Sequence, residues 1–183
     1  MTWSTTVLIV ALGISASPAS SPDRVTRPAV PLNLEVPAGH RPFLIARAEG
    51  TQNYICLATT SSIGWSFLGP QATLFDDEGG QILTHFLGPN PSENGTPRAA
   101  WQHSRDTSAV WAAAIASSTD ANYVAPGAIP WLLLQVVGSQ YGPDYGDRMI
   151  RTTFIQRVNT SGGVAPATGC SLPTDVGRRA LVP

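Results

Sequence analysis

The chain has 183 residues, of which 43% are hydrophobic and 13% charged, and its formal net charge is −1. That length fits one domain with a real core, and the near-neutral balance supplies no basic stripe to neutralise phosphates, which argues against a nucleic-acid partner. All 11 basic residues are arginine, which excludes Schiff-base, P-loop and general-base lysine chemistry.

Residues 1–19 read as a signal peptide. An apolar run from Val7 to Ile14 is followed by small residues, with Ser17 and Ala19 placed for cleavage. Eight residues are too few to cross a bilayer, so no transmembrane segment is expected and the location is extracytoplasmic, either secreted or periplasmic. Residues 20–31 form a proline-rich linker, and residues 32–183 form a single β domain.

Within that domain the apolar runs are short and bounded by Gly, Pro, Asn or Asp. LNLEV (32–36), FLIARA (43–48), NYICLA (53–58), WSFLG (65–69), ATLFD (72–76) and QILTHF (81–86) read as successive strands. AVWAAAIASS (109–118) is alanine-rich enough to suggest a helix, but it lacks a 3.6-residue apolar stripe and lies among strands, so it is read as one. WLLLQVV (131–137), directly after Pro130, is apolar on both faces and is predicted to be an interior strand. IRTTFIQRV (150–158) alternates and is rich in β-branched residues. The fold class is all-β, an antiparallel β-sandwich or a squat β-barrel.

The block WQHSRD (101–106) concentrates polar chemistry in a chain that has little of it. If it is extended, Trp101, His103 and Arg105 share one face, offering a stacking surface and donors suited to a sugar ring, a carboxylate or an aromatic ligand. His85, near the end of its strand, is the fourth candidate for such a ligand-binding rim. The bland alternative has Arg105 and Asp106 closing a turn while Trp101 packs in the core.

No dinucleotide, P-loop, zincin, nucleophile-elbow or EF-hand motif occurs, so no cofactor is expected. His40, His85 and His103 lie in three separate segments without metal-ligand spacing, and no metal site is assigned. Asp106, Glu93 and Asp120 are the carboxylates available for acid–base work, with no spacing that fixes their separation. Cys56 and Cys170 are the only cysteines. In an exported chain a disulfide is the economical reading, stabilising by on the order of 4–5 kcal/mol at most, and two buried free thiols are the alternative.

The segments GTQNYICLA (50–58), ATLFDDEGG (72–80), THFLGP (84–89), AIPWLLLQV (128–136) and FIQRVNTSGGVAPATGC (154–170) together resemble domain-of-unknown-function family 3455, a group of exported bacterial and fungal proteins. The resemblance covers roughly residues 30–183. It implies that Cys56 and Cys170, at the family's QxYxC and GC positions, are paired. It also implies a sheet lacking its last strand, since relatives continue past the Val-Pro with a tyrosine-rich strand. A malate dehydrogenase label on some fungal relatives does not transfer, because the chain has no dinucleotide fingerprint.

Three functions follow as expectations. The first is a non-catalytic binding or surface-associated domain for a small molecule or carbohydrate. The second is a hydrolase or lyase using His85 or His103 with Asp106 or Glu93. The third is a structural envelope or stress protein with no ligand.

Overall fold

The computed structural model describes residues 25–183. The expected signal peptide and the start of the proline-rich stretch lie outside the described residues. The end of that stretch belongs to the packed domain: Pro31 is buried, and Val30 packs against Leu34 and Trp131.

The domain is one eight-stranded antiparallel sheet curled into a half-barrel. Its strands are β1 (Arg47–Ala58), β2 (Ile63–Phe75), β3 (Gln81–Asn90), β4 (Thr96–His103), β5 (Ala109–Ser118), β6 (Trp131–Gln140), β7 (Phe154–Arg157) and β8 (Arg179–Val182). The order β7-β6-β5-β4-β3-β2-β1-β8 is a meander with one exception, the return of β8 to pair with β1. Register breaks at Asn53/Tyr54, Leu74/Phe75, Trp111/Ala112 and between Ala114 and Ala116 accompany the curl, because each bulge bends its strand and increases the local twist. Of the two architectures expected, the sandwich is replaced by a single sheet.

The inner face carries the main core. Leu74, Leu83, Trp101, Val110, Ala112 and Leu134 pack together, covered by Met149 from the loop before β7. Each such large side chain contributes roughly 1.5–3 kcal/mol by leaving water. WLLLQVV is the interior strand expected of it. Leu134 serves the inner core, whereas Trp131 and Leu133 face outward into a second cluster with Leu34 and Val124.

Several expected boundaries moved. LNLEV is not a strand; Leu32–Leu34 form a single 3-10 turn that buries Leu34 completely. Its backbone is tied down by side chains instead of a ladder: Gln156 donates to the Leu34 carbonyl at 2.7 Å, and Asn33 donates to Ser117 O at 2.9 Å. FLIARA enters the sheet only at Arg47, where pairing with Phe75 begins, and Phe43, Leu44 and Ile45 stay exposed. WSFLG and ATLFD are one long strand that runs through Gly69 and Pro70. IRTTFIQRV contributes only Phe154–Arg157.

The two edge strands, β7 and β8, are joined by residues 158–178, which form a strap. Gly163 in this strap pairs with Ala128 and donates to Pro183 O at 2.8 Å, and Ile129 donates to Gly162 O at 2.8 Å. Gly163 has φ +81°, and a Cβ there would lie 3.0 Å from Ile129 and 3.1 Å from Gln52, so both conformation and space demand glycine. Cys56 of β1 is bonded to Cys170 of the strap, with Cα atoms 5.8 Å apart, closing a loop of 114 residues.

Candidate functional site

His85 on β3 and Trp101 on β4 are direct cross-strand partners. Their rings stack at 4.1 Å with an interplanar angle of 14°. Alternation places both on the inner face, with Ala72 of β2 beside His85. Trp101 is buried in the core, and half-buried His85 lies on top of it.

His85 Nδ1 is 2.8 Å from the Ala100 carbonyl. A carbonyl only accepts, so Nδ1 carries the proton and Nε2 is left as a bare acceptor with no protein partner among the described residues. Burial pushes the imidazole down to about 4; the Ala100 hydrogen bond opposes this, and the positive charge of Arg157 adds to it. The ring is therefore neutral near pH 7. It borders a cavity of about 330 Å³ where β2 and β3 part, lined from both faces of the sheet: Leu87 shares the His85 face, whereas Gln71, Thr84 and Phe86 alternate to the other.

His103 shares the inner face with Trp101, two residues along β4 and opposite Leu83. It is nearly buried, and its ring serves the turn that follows. Nδ1 lies 3.1 Å from Asp106 Oδ1, 3.2 Å from the Arg105 amide and 3.4 Å from the Asp106 amide. Burial lowers its pKa, and the Asp106 carboxylate opposes that. The strand ends at His103, so Arg105 does not continue the alternation. It lies exposed in the turn.

Asp106 is a hub of structure. Its carboxylate accepts from the Ser108 amide at 3.2 Å, the Ser108 hydroxyl at 2.8 Å and the Arg148 amide at 3.0 Å. Burial alone would raise its pKa, but these donors outweigh it and hold the group below the usual carboxylate range. Glu93 stands at the other end of the β3–β4 hairpin, beyond the pair Asn90–Thr96. It accepts two hydrogen bonds of 2.8 Å from Arg98 and one of 2.7 Å from Asn90, which drive its pKa down to about 2. Asp120 caps its own loop through Asn122. The carboxylates considered for acid–base work are thus spent on turns, and none meets His85. Among the described residues no three His, Cys, Asp or Glu side chains gather in a metal-binding group.

Two inner-face residues escaped sequence reasoning. Tyr54 of β1 donates its hydroxyl to Gly163 O at 2.7 Å, and Arg157, the last residue of β7, donates from Nε and Nη2 to Pro130 O at 3.2 and 2.8 Å. In sequence each is one member of an alternating strand, and only the curl turns both toward the concave face of the half-barrel, its trough. A second cavity, of about 300 Å³, lies on the outer face. Phe86, Gln102, Trp111, Gln140 and Tyr141 line it, and Trp111 Nε1 is buried without a partner.

A family model described as "Protein of unknown function (DUF3455)" matches residues 37–179. The chain belongs to the DUF3455 family. The matched span runs from just after the first 3-10 turn to the start of β8, so it takes in the trough, the strap and both cysteines. No curated protein and no solved structure matches the chain. Among the described residues no helix is long and apolar enough to cross a membrane.

Proposed function

We propose that this DUF3455 member is a non-catalytic, extracytoplasmic binding domain that holds a small ring-bearing molecule, a sugar or an aromatic metabolite, against His85 and Trp101. The observation that carries this is the His85 ring itself. It is stacked on a buried indole, locked in one tautomer by Ala100 with Nε2 left as an acceptor, and it borders a cavity of about 330 Å³. A rigid ring platform with a fixed acceptor orients a ligand at small entropic cost. His103 supports the floor by closing the adjoining hairpin, and Arg105, exposed in that turn, has no part in the site. The disulfide suits an oxidising compartment. Acid–base catalysis is disfavoured because Asp106 and Glu93 are held in turns.

A thermal-shift screen of neutral monosaccharides and small aromatic metabolites tests this, run on the wild-type chain and on His85→Ala. A ligand at about 100 times its Kd stabilises by about 2.7 kcal/mol, a shift of several degrees. Protection of the wild type that is lost in His85→Ala is expected. Equal protection of both proteins contradicts the site, and a screen without any hit favours the ligand-free structural role.

A further inference from the structure

Arg157 is half-buried on the inner face, opposite Leu132, and among the described residues it has no carboxylate partner. The ion pairs among the described residues are Arg47–Glu49, Arg98–Glu93, His103–Asp106 and Arg178–Asp175. Both Arg157 hydrogen bonds go to one neutral acceptor, Pro130 O, and Nη1 has no protein partner there. Arg98, by contrast, has a two-pronged carboxylate. Taking a guanidinium partly out of water without a counter-charge is costly, and a bound anion would offset that cost.

The surroundings fit a completing anion. Pro130 O is taken by Arg157, the Ile129 carbonyl by Thr160 Oγ1 at 2.6 Å, and the Gly163 carbonyl by Tyr54 at 2.7 Å. Each of these acceptors already has a donor, and Nη1 is left without a protein partner among the described residues. The Gln52 side chain passes beside Gly163, in the same strap.

We propose that Arg157 is the anion-recognising residue of the trough, so that the ligand is a small ring-bearing carboxylate whose carboxyl group sits on the guanidinium beneath the strap. This rests on the ring-binding role proposed for His85 and Trp101, and adds the charge of the molecule. Arginine presents a planar fork matched to a carboxylate, which a lysine ammonium does not. Arg157 also helps depress the His85 pKa, as two groups facing one trough should.

The test compares benzoate with benzyl alcohol, which share a ring and differ in charge, by calorimetric titration at constant ionic strength. The wild type is expected to bind benzoate at least tenfold more tightly. Arg157→Gln should abolish that preference while still binding benzyl alcohol, and Arg157→Lys should keep part of it. Equal affinity of the wild type for both compounds overturns the anion assignment and leaves the ring platform standing. A benzoate preference unchanged in Arg157→Gln, or no benzoate binding by the wild type, also overturns it. Benzoate binding that survives His85→Ala but not Arg157→Gln keeps the anion site and removes the ring platform.

Discussion

The imidazole of His85 lies on the indole of Trp101 at 4.1 Å, and the same two residues are opposed in the β3–β4 ladder. Cross-strand aromatic pairs of this kind are worth roughly 0.5–1.5 kcal/mol beyond the area they bury. The pair therefore has a structural value in the absence of any ligand, and its contribution depends on protonation.

His85 makes the domain acid-sensitive in a definite window. Its folded pKa, about 4, is below the ordinary 6.5, so between those values the unfolded chain binds the extra proton. Stability is fully present above pH 6.5, declines as pH falls toward 4, and loses nothing further from this group below that. The loss is on the order of 3 kcal/mol. Urea melts across this range are expected to show the decline in the wild type and a flatter profile in His85→Gln.

His103 and Asp106 are expected to behave as a turn staple. His103→Ala leaves the Arg105 and Asp106 turn amides without their Nδ1 acceptor and should cost about 1–3 kcal/mol. Ligand affinity in the trough, measured after correcting for stability, should be unchanged. A stable His103→Ala protein that has lost ligand binding would put His103 in the site.

The strand content was legible because alternation and turn residues are local signals. WLLLQVV shows on its face that both sides are covered, and the structure covers both, with Leu134 inward and Leu133 outward. Where the sheet would stop was not legible. Phe43, Leu44 and Ile45 look like a strand, but there is no partner for them beyond Phe75. The site divided in the same way. His85 and Trp101 could be singled out as chemistry, whereas Arg157 and Tyr54 meet the trough only through the curl of the sheet, which no local pattern encodes. Arg105 was misplaced because period two was carried one step past the end of β4.

Gly138 is expected to tolerate no side chain. A Cβ there would lie 2.1 Å from Asn90 Oδ1, and Asn90 is fully buried and held by Glu93, Ser92 and Val137. Gly138→Ala should therefore destabilise by at least the 1–3 kcal/mol usual for overpacking, read as a lower denaturation midpoint.

The disulfide is expected to secure the strap more than the sheet. Replacing both Cys56 and Cys170 with alanine should lower stability by up to about 4–5 kcal/mol. Hydrogen exchange should speed up first in residues 158–178, while the central strands β3–β6 stay protected under native conditions. Uniform loss of protection would show that the strap and the sheet unfold as one unit.

The most direct test of ligand binding in the trough is to follow the His85 Cε1–Hε1 resonance by NMR while a ring-bearing carboxylate such as benzoate is titrated in. A saturating shift of His85, with the His40 and His103 signals and the outer-face Trp111 indole signal unmoved, is the expected result. Binding that perturbs Trp111 and leaves His85 unchanged would contradict it and move the site to the outer cavity.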